Sequence, residues 1–247
     1  MSDALLQVTG LVKRFGGLVA TDHLDLQVMN RETLALIGPN GAGKTSLISQ
    51  LQGDLTPDAG SIRFDGRDIT REPSYRRAHA GLARSFQISS VFPQFTLRDN
   101  VAVSVQARQG HSFRFWRDAR EDVTLTDPAQ GMLDIVGLGR TDRLAGDVSH
   151  GERRQLELAM ALAMQPKLLL LDEPMAGMGR EDSARMTTLL LGLKSRYSIL
   201  LVEHDMDAVF KLADRVTVLV AGRAIATGFP DQIRSDAAVR AAYLGHR

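Results

Sequence analysis

The chain has 247 residues, 44% of them hydrophobic and 24% charged, which supports a sizeable core and excludes wholesale disorder or a collagen-like fibre. Lys plus Arg number 30 against 29 Asp plus Glu, so the formal charge of +1 argues against a protein held on nucleic acid mainly by counterion release. Cys is absent, which excludes disulfides, thiolate metal sites and cysteine nucleophiles and is compatible with a reducing cytoplasm. Met1–Ala4 shows no basic segment leading into an apolar one, so no secretory signal is expected. The richest apolar stretch, Leu168–Leu171, is bounded by Pro166-Lys167 and Asp172-Glu173. That falls far short of the roughly 18 to 20 apolar residues that span a bilayer, so any work at a membrane is expected to go through a partner.

The first third reads mostly as strands. Leu24, Leu26 and Val28 alternate with Asp25 and Gln27, the period of a half-buried strand. Asn30-Arg31-Glu32 supplies a turn, and Thr33–Ile37 follows as a run apolar enough to be buried on both faces. Beyond Gly38–Gly43 the pattern turns helical through Ser46–Leu51, with Gly53 as its stop. A strand returns at Ser61–Phe64, closed by Asp65-Gly66. From about 95 to 165 the patterning is mostly helical, with Leu156, Ala159, Met160, Ala163 and Met164 on one helix face. Strands resume at Leu168–Leu171, Ile199–Val202 and Val216–Val220, and Ala221-Gly222 reads as a hairpin turn. Strands alternating with helices predict an α/β fold with a mainly parallel sheet, an N-terminal antiparallel β subdomain and an inserted helical subdomain at about 88–165. No linker rich in Pro, Gly or Ser divides the chain, so residues 1–247 are expected to form one domain.

Gly38-Pro39-Asn40-Gly41-Ala42-Gly43-Lys44-Thr45 fits G-x-x-x-x-G-K-[ST] and lies between a predicted strand and a predicted helix, the context such a phosphate loop requires. Its glycines let successive N–H groups converge on phosphate oxygens, and the following helix presents a positive dipole end. Lys44 is expected to bridge β- and γ-phosphate, and the Thr45 hydroxyl to coordinate Mg²⁺, with Ser46 as a further nucleotide contact. Leu168–Leu171 runs into Asp172-Glu173, which a parallel sheet places at its carboxyl edge beside the phosphates. Asp172 is expected to hold Mg²⁺ through water, and Glu173 to polarise the attacking water as general base. These motifs imply nucleotide binding and leave kinase and hydrolase both open.

Ser149-His150-Gly151-Glu152 opens the amphipathic helix and on geometry reads as a capping box. Its order before the Asp172 strand, with His204 after the next apolar strand, resembles the ATP-binding subunits of ABC transporters. Val148–Glu152 stands at that family's signature, commonly Leu-Ser-Gly-Gly-Gln, matching at Ser149 and Gly151 and departing at Val148, His150 and Glu152. The resemblance runs along essentially the whole chain. It implies that Phe15 stacks on adenine, that Gln87 contacts Mg²⁺ and water and faces the membrane subunit, and that His204 contacts γ-phosphate. It also implies a composite site, in which Ser149, Gly151 and Glu152 of one subunit close on ATP held by the Lys44 loop of another. Gly179 stands where most members carry an aspartate, a departure that bears on communication between the two sites.

Arg14–Ala20, Arg84–Gln87, Glu173–Gly177 and the ending Ala242–Gly245 are similar to the ATP-binding subunits of branched-chain amino acid importers. Such subunits pair with a second ATPase and two transmembrane permease chains, and indirectly with a periplasmic binding protein, so a bacterial source and the cytoplasmic face of the inner membrane are implied. The alternatives are the ATPase of a lipid or lipopolysaccharide exporter, a soluble ABC ATPase, and a P-loop kinase. Phe113-Arg114-Phe115-Trp116-Arg117 is read as packing or partner contact, not as a nucleic-acid platform. The six histidines, His23, His79, His111, His150, His204 and His246, show no metal-ligand spacing.

Overall fold

The computed structural model describes residues 4–84, 91–110, 121–139 and 142–241. Side-chain alternation builds the first layer. Strands β1 (Ala4–Phe15) and β2 (Leu18–Met29) pair antiparallel, with Leu24, Leu26 and Val28 buried and Asp25 and Gln27 exposed. Strand β4 (Ala59–Phe64) adds to β1, and β5 (Arg67–Asp68) follows, giving the order β2-β1-β4-β5 among the described residues.

The second sheet contains β3 (Thr33–Ile37), β6 (Leu82–Arg84), β7 (Leu168–Asp172), β8 (Ser198–Val202), β9 (Arg215–Val220) and β10 (Arg223–Gly228), in the order β10-β9-β3-β8-β7-β6. Its strands are parallel except β10, which pairs antiparallel with β9 through the Ala221-Gly222 turn. Both turn residues have positive φ, as a two-residue hairpin matched to strand twist demands. Leu36 and Asp172 both face Val202 in register. The ends of β3, β7 and β8 therefore lie side by side, which positions the site.

Helix α1 (Lys44–Gln52) ends at Gly53 as its composition predicts, and α2 (Ser74–Ala80) precedes β6. Between β6 and β7 stand α3 (Leu97–Gln109), α4 (Val123–Ile135) and α5 (His150–Ala163). After β7 come α6 (Arg180–Leu193), α7 (Met206–Leu212), α8 (Pro230–Ser235) and α9 (Ala237–Val239). Helix α5 is buried over every residue from Leu156 to Ala163, more than the single apolar face its pattern suggests. It is enclosed between α3, α4 and the sheet in one core, so Ala and Leu suit its whole circumference.

Period two splits the parallel strands between cores. Leu169, Leu171, Ile199 and Leu201 face the helical core, whereas Leu168, Leu170, Leu200 and Val202 face the core shared with α1 and the antiparallel sheet. Ala35, Ile37, Val216 and Val218 face a third cluster with α7, α8 and α9. Among the described residues no helix is long and apolar enough to cross a membrane.

Candidate active site

The loop from Gly38 to Gly43 is pressed from two sides. A Cβ on Gly38 would stand 2.0 Å from the Leu219 carbonyl oxygen, and one on Gly43 would stand 2.0 Å from that of Ala20. The Ala42 N–H donates to the Pro39 carbonyl (3.2 Å), and the Ala42 carbonyl accepts from Gly222 N–H (2.9 Å). Asn40 and Gly41 are exposed at the crest. The N-terminus of α1 has no side-chain cap, so its first N–H groups face outward with the positive end of the helix dipole. The Lys44 ammonium donates to the carbonyls of Gly38 (2.7 Å) and Pro39 (3.0 Å). Burial pulls the Lys44 pKa below 10.5, while the Glu173 and Asp172 carboxylates oppose that shift. Thr45 is exposed beside it and Ser46 is half-buried.

Asp172 closes β7 and is buried against Arg84 at the end of β6, with Nη2 donating to Oδ2 at 3.0 Å. Burial raises its carboxyl above the usual 3.8, with Arg84 pulling the other way. Arg84 also donates to the Gln52 side chain (2.6 Å), tying Asp172 to the far end of α1. Glu173 is half-buried, adopts φ 50° and donates its N–H to the Val202 carbonyl (2.8 Å). The His204 Nδ1, at the end of β8, lies 4.0 Å from Glu173 Oε1 and 3.7 Å from Glu203 Oε2. The sheet edge thus gathers Lys44, Asp172, Glu173 and His204. A glycine loop held closely between the Leu219 and Ala20 carbonyls, an uncapped helix end and an ammonium suit a polyphosphate. The Thr45 hydroxyl and Asp172 carboxylate are hard oxygen donors of the kind Mg²⁺ takes.

Phe15 is exposed at the tip of the β1–β2 hairpin, with the Lys13 ammonium 5.7 Å from its ring centroid. The hairpin runs on through Ala20, which meets Gly43. Ser149 caps α5 in a complete capping box: its oxygen accepts from Glu152 N–H (3.2 Å) and Glu152 accepts from Ser149 N–H (2.9 Å). Glu152 is also paired with Arg143. The hydrogen bonds of this cap run within it and to the neighbouring segment, where His150 Nε2 meets the Ala176 carbonyl at 3.2 Å. Gly151 sits against the Asp182 carboxylate, at the start of α6. Gly179 is the N-cap of α6 and provides no side-chain cap. Gln87, Phe113–Arg117, His111, His246 and Ala242–Gly245 lie outside the described residues.

Sequence reasoning passed over three residues that the fold brings in: Arg84 on Asp172, Glu203 under His204, and His150 against Ala176. Arg84 carried no usable signal, because the short strand it closes, Leu82–Arg84, is not announced by the patterning. Glu203 had none either, because a charged residue following Ile199–Val202 reads as the exposed end of a strand.

A family model described as "ABC transporter" matches residues 21–176. The chain belongs to the ABC transporter ATP-binding family. A second model, "Branched-chain amino acid ATP-binding cassette transporter", matches residues 225–247 of this cassette. The high-affinity branched-chain amino acid transport ATP-binding protein BraF of Pseudomonas aeruginosa is 36% identical over 256 residues, covering 99% of both chains. The corresponding protein LivG of Escherichia coli is 36% identical over 258 residues, with the same coverage. Among solved structures, a nucleotide-free ATP-binding cassette from an ABC transporter superposes with a TM-score of 0.86 at 27% identity, covering 97% of this chain and 98% of that one. The ADP conformation of such a cassette gives 0.84 at 27% identity, covering 98% and 99%. The cassette is accordingly a nucleotide-binding ATPase with the α/β architecture expected of it.

Proposed function

We propose that this cassette hydrolyses Mg²⁺-bound ATP as the ATPase subunit of an importer for branched-chain amino acids or related small polar solutes. The arrangement of Lys44, Asp172, Glu173 and His204 along one sheet edge carries the ATPase reading. The match at residues 225–247 and the likeness to BraF and LivG support the cargo class. Residues 1–247 act as one cassette, with the helical segment at about 88–165 as its subdomain.

The chain's groups divide the work. Phe15 stacks on the base; Gly38, Pro39, Asn40, Gly41, Ala42 and Gly43 wrap the phosphates with backbone N–H groups, and Lys44 exchanges its loop carbonyls for phosphate oxygens. When bound, Mg²⁺ would supply charge neutralisation to the triphosphate, and Thr45, Asp172 through water, and Gln87 would hold it. Glu173 takes the proton of the attacking water as oxygen bonds to the γ-phosphorus and the bond to ADP breaks. His204 donates to the γ-phosphate.

A second subunit, identical or a sister ATPase, completes the site with the cap holding Ser149, Gly151 and Glu152. Helix α5 starts at this cap, and a helix start with its positive dipole end is suited to an anion on another chain. Transmembrane permease chains dock the pair at the cytoplasmic face of a bacterial inner membrane, and a periplasmic binding protein acts through them. The cassette never touches the solute.

The test is phosphate release from ATP without an acceptor, together with Glu173→Gln. Wild-type chain is expected to release phosphate steadily. Glu173→Gln is expected to lose turnover by at least about 100-fold and to form an ATP-dependent dimer by sedimentation. Normal hydrolysis by Glu173→Gln would remove Glu173 from this role, and release only with an acceptor would identify a kinase.

A further inference from the structure

We propose that Glu203 is a positioning residue for hydrolysis, a buried clamp that holds Glu173 and His204 in their mutual geometry; this rests on the ATPase reading above. Glu203 follows β8 and is 1% exposed. Both carboxylate oxygens are engaged by backbone donors. Oε1 accepts from Met175 N–H at 3.1 Å, and Oε2 accepts from His204 N–H at 2.9 Å and Asp205 N–H at 3.3 Å. A carboxylate out of water is tolerated when several N–H groups satisfy it, and such bonds are among the stronger ones in proteins.

The two oxygens serve two segments. One holds the turn after Glu173, and the other holds the start of the loop that carries His204. Glu173 needs that hold, because φ 50° is a conformation an L-residue adopts only under outside constraint. Its own N–H is fixed to Val202, and two residues later Met175 is fixed to Glu203. Glu173 is therefore suspended between two anchors, both at the end of β8. His204 leaves the same strand end, with its Nδ1 4.0 Å from Glu173 Oε1. One buried side chain thus ties together the segments that carry the general base and the γ-phosphate donor.

Gln cannot replace it. A glutamine has one acceptor oxygen, so its amide NH₂ would face the N–H of either Met175 or His204. Aspartate keeps both oxygens but is one methylene too short to reach both segments.

The experiment uses the full chain as wild type, Glu203→Gln and Glu203→Asp. Amide exchange without nucleotide is followed by NMR at Met175, His204 and Asp205. At least one of these amides is expected to exchange about tenfold faster or more in each variant. In the hydrolysis assay kcat is expected to fall by about 100-fold with ATP affinity close to wild type, while the melting temperature falls only by the few degrees that an unpaired buried N–H costs. Should Glu203→Gln fail to fold, Glu203→Asp carries the same readouts. Unchanged exchange, unchanged kcat, or a parallel loss of kcat, ATP affinity and melting temperature in Glu203→Asp would each overturn the proposal. The exchange measurement needs no ATP, so failure of the clamp and failure of the ATPase assignment give different results.

Discussion

A methyl group at position 43 shows how tightly the phosphate loop is built. The Gly43 backbone is left-handed at φ 102°, and an added Cβ would collide with the Ala20 carbonyl, which is backbone and cannot swing away. Gly43→Ala is expected to cost about 2 kcal/mol of stability from strain and displaced backbone. It should also weaken ATP binding, since the displaced β2 segment leads back to Phe15; thermal melting and nucleotide titration check both. The motif announces a glycine here, but its steric cause lies in Ala20, more than twenty residues upstream and invisible in the pattern. Lys44 shows the same division. Its presence was legible, whereas its burial and its hold on two loop carbonyls depend on the fold.

Helix α5 makes the point at the next level. Its capping box was readable from Ser149 and Glu152, because the motif is local and its bonds close over three residues. Arg143 was not, since it arrives from the preceding loop to pair with Glu152. That pairing first, and the Ser149 N–H second, hold the Glu152 carboxyl below its ordinary 4.5. The folded chain therefore binds fewer protons at this group than the unfolded one. Its contribution is complete above 4.5 and is lost as pH falls through the lower folded value. Glu152→Gln is expected to be less stable than wild type at about pH 7, with the difference shrinking in acid; urea midpoints across that range measure it. A constant difference would mean that the charge contributes nothing to the cap.

At the far end of α1, Arg77 shows a contact that no local pattern announces. It is 2% exposed and donates to the carbonyls of Gln50, Leu51, Thr70 and Glu72. The guanidinium satisfies the orphaned last turn of the phosphate-loop helix and joins it to α2.

For the molecule as a whole, the parallel sheet is the shared wall of two cores. Leu169 points into the helical core and Leu170 into the core with the antiparallel sheet, both fully buried. Each substitution by Ala is expected to cost about 2 to 5 kcal/mol. Because adjacent residues of one strand carry both contacts, Leu169→Ala and Leu170→Ala should shift the same cooperative unfolding transition, read by fluorescence and circular dichroism together. Two separated transitions would show that the helical layer unfolds on its own.

Period-two and helical patterning, the phosphate-loop spacing and the Asp172-Glu173 strand end announce several of the strands (Thr33–Ile37, Leu168–Asp172, Ser198–Val202 and Arg215–Val220 among them), the helical insertion and a candidate anion site. Each is a local rule, enforced by backbone geometry over a few residues and legible wherever those residues occur. The placement of Glu203 beneath Met175 and His204, the grip of Arg84 on Asp172 and the pressure of Ala20 and Leu219 on the loop join residues far apart in the chain. Those contacts exist because β3, β7 and β8 end in register. Register is settled by packing across the whole sheet, where one side chain's neighbours are chosen by topology and not by the residues next to it.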